Sequence, residues 1–536
     1  MLALVFLGLL ATTDAYIWPS PKLDALESLR FDLDRHSFAS LLKPCDLFIS
    51  DGSNSGRSNA ADWIRNAYHD MATYNNADGS GGMDGSIRFA EEQSRAENAG
   101  DGFKNTAKVL FQEANRYISV ADAFAIGAIM AIENCGGPDI AFRGGRVDAA
   151  VANSPGVPEP EQDLDSHIAS FARQGFTPTE MISLVACGHT FGGVQRDPFP
   201  DIVPEVNDAN NTESVLHFDT TNVHFDNNVA TEYISGTTQN PLVVGFNDTT
   251  NSDKRIFGSD GNVTMRSFAN DPTLYASTCA ELFARMLDTV PKGVQLTEVI
   301  VPLPVKPDGV LFSLDGDTLK LSGQLRIWNT TNGSRTVRLL WDDRVGGANN
   351  FTLFSLKVNN NAPRTPAAWY LFAPTPPRTS FIPLDPVAGM TTMRFSVDGM
   401  LEDQGGVGFA VDDRVVFSES SCRTSASSTN LAARYDVAPF NSQVRNGVNP
   451  TRVYLEEDTF NDVPLSVVIE TDIPPPTQPI VPNPAYKIWS VEVSVNLTNP
   501  NDIIKYSIGA EINGVKITDN GKHILTDLPL CPGVSS

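Results

Sequence analysis

From about Leu23 to Asp288 apolar residues recur at helical spacing, in segments such as AADWIRNAYHDMA, FKNTAKVLFQEANRYI, VADAFAIGAIMAIENC, LDSHIASFARQGF, PTEMISLVACGH and DPTLYASTCAELFARMLDTV. They predict a mostly α-helical half, with Gly- and Pro-punctuated loops such as ADGSGGMDGS, CGGPDIAFRGGR and NSPGVPEP. After Val290 the pattern changes to short alternating or β-branched runs, among them GVLFSLDG, TLKLSGQLRIW, TTMRFSV, DRVVFSE, LSVVIETDI and WSVEVSVNLT. Strands at that spacing predict an all-β, sandwich-like C-terminal region. The stretch TDIPPPTQPIVPNP reads as a semi-rigid Pro-rich connector. The expected organisation is multidomain: a leader over 1–15, a helical domain over 16–290, a β-rich domain over 291–475 and a further β-rich segment over 476–536.

Composition narrows the function. The chain has 536 residues, 41% hydrophobic and 19% charged, as a globular protein does, and its formal net charge of −25 falls mainly before Lys292. So acidic a body lacks the footprint of a nucleic-acid binder and suits neutral or cationic partners and divalent cations. The opening MLALVFLGLLATTDA is an apolar run ending in small residues, which predicts a signal peptide cut after Ala15. No later stretch approaches the length of a membrane span, so a secreted chain with no membrane partner is expected. Seven N-x-S/T sequons, at Asn210, Asn247, Asn262, Asn329, Asn332, Asn350 and Asn496, fit export. The six cysteines (Cys45, Cys135, Cys187, Cys279, Cys422, Cys531) could form up to three disulfides whose pairing sequence leaves open. Cys187, inside the apolar SLVACGH, is expected to be a buried free thiol.

Six of the seven histidines lie at or before His224, which puts any histidine chemistry in the helical half. In AADWIRNAYHDMA, Arg65 and His69 are four apart and share a helix face. An imidazole there can take and return a proton while a guanidinium faces a developing anion, although such a pair is also common as plain surface or core. His189 ends an apolar helix between glycines, where it is either structural or an axial metal ligand.

Together these segments resemble the plant-type haem peroxidase superfamily, and its secreted fungal members most. The distal motif Arg-x-x-aromatic-His-Asp stands as Arg65 to Asp70 and the proximal Gly-His-Thr as Gly188, His189 and Thr190. GGMDGSIRF, ENAG, SVADAFAIGAIMAIENCGGP and GRVD follow in the family's order, the likeness covering roughly residues 25–290. The resemblance implies haem b held by His189, with Asp253 taking the proximal His N–H and making that imidazole more anionic. It implies His69 as the acid/base moving a proton between the peroxide oxygens. Arg65 would stabilise the leaving hydroxide, and Asn98 would accept from the other nitrogen of His69.

It also implies two calcium ions. The distal one would take Asp70, Gly82, Asp84 and Ser86; the proximal one would take Thr190, Asp219, Thr221, a carbonyl from His224, and Asp226. The Cys45–Cys135 pairing is implied as a family disulfide.

The likeness has departures. Tyr68 replaces the usual Phe or Trp, as a packing ring or a radical relay. Phe218 stands where ascorbate-type and cytochrome c peroxidases carry a proximal Trp. Of the three carboxylates of a manganese site only Asp62 is present, with Ser58 and Gln195 at the others, and the surface Trp of lignin peroxidases falls near Leu184. The expected function is reduction of hydrogen peroxide with one-electron oxidation of small phenolic or aromatic donors. The alternative is a retired scaffold whose β tail, with Trp328, Trp341, Trp369 and Trp489, makes a polysaccharide contact.

Overall fold

The computed structural model describes residues 13–14, 16–17, 20–32, 36–49, 54–359, 366–374, 379–425, 427, 430–439, 449–461, 465–477, 480–496, 504–519, 521 and 523–534. Of the expected leader only Thr13 and Asp14 are among them, paired with Ile517 and Thr518; the rest lies outside the described residues. The chain divides into two compact units, one of residues 25–301 with 461–466, the other of residues 1–24, 302–460 and 467–536.

The first unit is helical. Helix α1 (Asn59–Met71) starts where the Ser58 hydroxyl accepts from the Ala61 N–H at 3.2 Å, and it buries Trp63, Ile64, Ala67 and Met71. Helix α2 (Val120–Asn134) is buried from Val120 to Glu133: VADAFAIGAIMAIEN is apolar on every side except at Asp122 and Glu133, which pair with Arg146 and Arg30. It packs against α1 and serves as the unit's spine. Helix α3 (Leu164–Arg173) is capped by Asp163. Helix α4 (Pro178–Gly188) begins with a capping box, Thr177 and Glu180 each bonding the other's backbone N–H, and with Pro178 in its first turn. Arg285 pairs with Glu180 and, with the Thr177 bonds, holds its carboxyl down to about 2. Helix α5 (Pro272–Leu287) packs on α4.

The contact between α4 and α5 corrects the expectation for Cys187. It is bonded to Cys279, the two Cα atoms 5.5 Å apart. The apolar setting reflects two packed helices meeting at a cross-link rather than a lone thiol. Cys45–Cys135 and Cys422–Cys531 complete the set, and no cysteine is free.

The second unit is built of strands, which among the described residues form a ten-stranded sheet and two six-stranded sheets. The inward residues Leu319, Leu339, Phe395, Tyr435 and Ile508 belong to one apolar core. Residues beyond 476 are part of this unit. Tyr486–Asn496 pairs antiparallel along Asn430–Pro439, and Lys505–Ile512 pairs with Arg452–Phe460, so the Pro-rich stretch joins strands of the same unit. Trp341 and Trp369 are buried, and Trp489 packs against the core. Trp341 and Trp369 are core residues, whereas Trp328 and Trp489 are half-buried. Among the described residues no helix is long and apolar enough to cross a membrane.

Candidate active site

A cavity of about 540 Å³ lies within the helical unit between α1 and the end of α4. Arg65, Tyr68 and His69 line it from α1, and Leu184, Val185, Gly188 and His189 from α4. The i, i+4 spacing puts Arg65 and His69 on one face, as the sequence requires. His189 is the C-cap of α4, its N–H donating to the Val185 carbonyl at 2.9 Å, so the helix that the capping box starts delivers the ring at its far end.

The two imidazoles are each held at Nδ1. His69 Nδ1 lies 2.7 Å from Asn98 Oδ1, and Asn98 Nδ2 donates to the Glu92 carbonyl at 2.8 Å. That second bond fixes which end of the amide faces His69. The carbonyl can only accept, so the His69 proton sits on Nδ1 and Nε2 is left as the basic nitrogen. Burial and the neighbouring Arg65 charge push His69 well below the ordinary histidine range. Arg65 is itself brought down to about 10 by burial, offset by the Asp62 charge.

Across the cavity His189 Nδ1 lies 2.8 Å from Asp253 Oδ2, which also accepts from Asn240 Nδ2 at 2.7 Å. With Nδ1 engaged, Nε2 is the nitrogen available to a ligand. Phe218 stacks on the His189 ring, centroids 4.1 Å apart and planes 9° from parallel. Asn240 was not singled out from sequence. The phenyl ring has no donor, and the Asn240 amide supplies the second N–H to Asp253.

Tyr68 is a packing ring in this structure. It stacks with Phe171 at 6.1 Å and meets His69 edge-on, with its hydroxyl buried and raised by burial above the ordinary phenol range. Ser58, Asp62 and Gln195 all line the cavity, and Asp62 is paired with Arg57. Leu184 is buried in the cavity wall rather than placed on the surface.

The two expected calcium sets are both brought together, with different outcomes. On the distal side Asp70 accepts backbone N–H bonds from Asp84 (3.0 Å), Gly85 (2.8 Å) and Ile87 (3.1 Å). The Asn153 amide nitrogen lies 2.9 Å from Asp84 Oδ2, 3.0 Å from Asp84 Oδ1 and 3.0 Å from Ser86 Oγ. The Gly82 N–H donates to Thr73 Oγ1 at 3.1 Å. Chain N–H groups and the Asn153 amide thus already contact Asp70, Asp84 and Ser86, and burial with the Asp84 charge pushes Asp70 well above the usual carboxylate range, so a cation entering the distal set would displace the Asn153 amide.

The proximal set does fit. Asp219 and Asp226 converge with Thr190 and Thr221, whose hydroxyl lies 3.0 Å from Asp226 Oδ1, and the His224 N–H closes the turn onto the Thr221 carbonyl at 2.7 Å. Asp219 Oδ2 is buried without a hydrogen-bond partner, and burial with the Asp226 charge lifts its carboxyl to about 7. An unmatched buried carboxylate oxygen beside a second carboxylate and two hydroxyls is the donor chemistry of a hard cation. Among the described residues no group of three or more His, Cys, Asp or Glu side chains is placed to share a metal.

This geometry agrees with the relatives found by comparison. Residues 46–275 match the family model described as Peroxidase. The helical half is a haem-peroxidase-superfamily domain. A WSC domain-containing protein of Arthroderma benhamiae is 37% identical over 341 residues, 62% of this chain and 46% of its own length. The peroxisomal L-ascorbate peroxidase 5 of Arabidopsis thaliana is 33% identical over 146 residues, 27% of this chain and 51% of its own. The mitochondrial cytochrome c peroxidase of Yarrowia lipolytica is 33% identical over 154 residues, 27% of this chain and 44% of its own. The chain spans about half the length of these relatives.

Haem, which the superfamily generally uses, fits this peroxidase cavity. One imidazole nitrogen, that of His189, is available on one wall, and the His69 imidazole and the Arg65 guanidinium stand on the other. Apolar side chains such as Leu184, Phe191, Ile202 and Leu242 line the space between.

Proposed function

We propose that this chain is a secreted haem peroxidase that reduces hydrogen peroxide and oxidises small phenolic or aromatic donors by single electrons. The observation that carries the reading is the facing pair of held imidazoles, His69 on Asn98 and His189 on Asp253, across one cavity. A scaffold has no use for that set. Export rests on the apolar opening, the sequons and three disulfides.

Haem b, held through His189 Nε2, would supply the electrons that cleave the O–O bond. The residues of the chain handle the proton and the charge. His69 Nε2 takes the proton from one peroxide oxygen and returns it to the other, which leaves as water. Its depressed basicity keeps it neutral, and so able to accept, in mildly acidic medium. The Arg65 guanidinium faces the negative charge that develops as the bond breaks, in a setting where few waters compete. Asp253 draws on the His189 N–H and raises the electron density that ring offers a metal. A single calcium ion in the proximal set would brace the segment that follows His189.

The deciding experiment is the absorption spectrum of the secreted protein before and after one equivalent of hydrogen peroxide. A ferric Soret band that shifts on addition supports the proposal. Protein that carries no haem, or carries haem indifferent to peroxide, returns the weight to the scaffold reading.

A further inference from the structure

Arg65 is a buried guanidinium whose only hydrogen bond among the described residues is from Nη2 to the Ala99 carbonyl at 3.1 Å, with the Phe103 ring beneath it at 4.4 Å. A buried cation seeks a carboxylate, and one stands on its own helix. Asp62 precedes Arg65 by three residues, a spacing at which helix side chains meet, and both line the cavity. Yet it is Arg57, just before the helix, that holds Asp62, Nη2 to Oδ2 at 2.9 Å.

Arg57 is fixed from several sides. Its Nη1 lies 2.7 Å from Asp101 and 3.2 Å from Glu213, Phe48 lies 4.0 Å beneath its guanidinium, and its side chain is only 8% exposed. Asp101 and Glu213 are drawn from distant stretches of the chain. Three carboxylates converge on one planar fork, a geometry suited to arginine and poorly met by a point charge.

We propose that Arg57 is a positioning residue: by holding the Asp62 carboxylate it keeps Arg65 out of an ion pair along its own helix and leaves that guanidinium free to face the cavity. The inference rests on the peroxidase reading for what Arg65 does there, but not for where Arg65 lies. Without Arg57, Asp62 loses its partner and turns to Arg65, which is then drawn off the Ala99 carbonyl.

The test compares wild type, Arg57→Gln and the double variant Arg57→Gln/Asp62→Asn as haem-loaded full-length protein. The readouts are the rate of the spectral change with hydrogen peroxide and the position of Arg65 in crystals. Arg57→Gln is expected to slow the reaction by about tenfold to a hundredfold, up to what losing one preorganised donor costs. Its Arg65 is expected within about 4 Å of Asp62, as an ion pair. The double variant, with no carboxylate left to capture Arg65, should return to within about threefold of wild type, since the two sites are coupled. An Arg57→Gln protein with wild-type rate and Arg65 still on the Ala99 carbonyl overturns the inference. So does a double variant as slow as the single one, which would make Arg57 a purely structural brace. Should Arg57→Gln fail to fold, Arg57→Met, which keeps the stem over Phe48 but removes the charge, is read by the same criteria. Wild-type protein that ignores peroxide would sink the proposed function, while the place of Arg65 in the variant crystals would still decide this inference.

Discussion

Asn98 holds His69 in one tautomer: its carbonyl faces His69 Nδ1 at 2.7 Å while its own amide nitrogen is committed to the Glu92 carbonyl. Replacing Asn98 with Val removes the acceptor and lets the ring proton move to either nitrogen. Peroxide activation is expected to slow by roughly tenfold or more, as for other residues that orient a reacting imidazole. Asn98→Asp should instead move the acid limb of the pH profile upward, because a carboxylate beside the ring favours its protonated form. Stopped-flow absorbance across the pH range separates the two.

The depressed basicity of His69 sets a pH dependence for stability. In the unfolded chain the ring binds a proton below its ordinary value of 6.5, whereas in the folded protein it stays neutral to well below that. The unfolded state therefore binds more protons, and the His69 contribution to stability falls as pH drops below about 6.5. It is constant above that value, where neither state is protonated. Urea unfolding between pH 7 and pH 4 should show a smaller loss for His69→Leu than for wild type; equal slopes would contradict the assignment.

Asp253 is expected to tune the proximal side. Asp253→Asn leaves a neutral partner for His189 Nδ1, so the ring offers less electron density and the ferric state is favoured less. The reduction potential of the haem-loaded protein should rise and peroxide activation should fall by about tenfold to a hundredfold. Potentiometric titration checks the first and single-turnover kinetics the second.

The Cys187–Cys279 bond ties the helix that carries His189 to the helix packed on it. Replacing both residues with Ala should cost about 2 to 5 kcal/mol of stability, the usual range for a native disulfide. Guanidinium unfolding measures it, and a thiol assay of the denatured, unreduced protein should find no free thiol.

Metal analysis should find one calcium per chain, bound by the proximal set. Chelation is expected to lower the melting temperature, and Asp219→Asn should reproduce that loss and abolish the response to added calcium. Two ions per chain would mean that the Asn153 amide gives way in solution.

Much of this was written locally. The switch from helical to alternating periodicity is carried by each segment alone, and Arg65, His69 and His189 lie in short motifs whose spacing sets their geometry. What escaped depends on distant chain meeting. Cys187 looked like core because an apolar helix gives no sign of a partner on α5. The stretch before residue 484 read as a break because its prolines are local, whereas the pairing of Tyr486–Asn496 with Asn430–Pro439 is not. Arg57 lies just upstream of Asp62, yet its role needs Asp101 and Glu213. Asn153 gave no signal at all until Asp84 and Ser86 were placed beside it.

The Asn153 amide gives the two faces of the cavity different exposures to the surrounding medium. The His69 face is braced by the Asn153 amide, while the His189 face, with calcium bound as proposed, would lean on an ion that must be found outside. In a calcium-poor setting, or among chelating organic acids, failure would begin beneath the cofactor, with the iron's own ligand loosening while the proton-moving side stands intact. Scarcity of an external ion would then slow turnover at temperatures below those at which the chain unfolds.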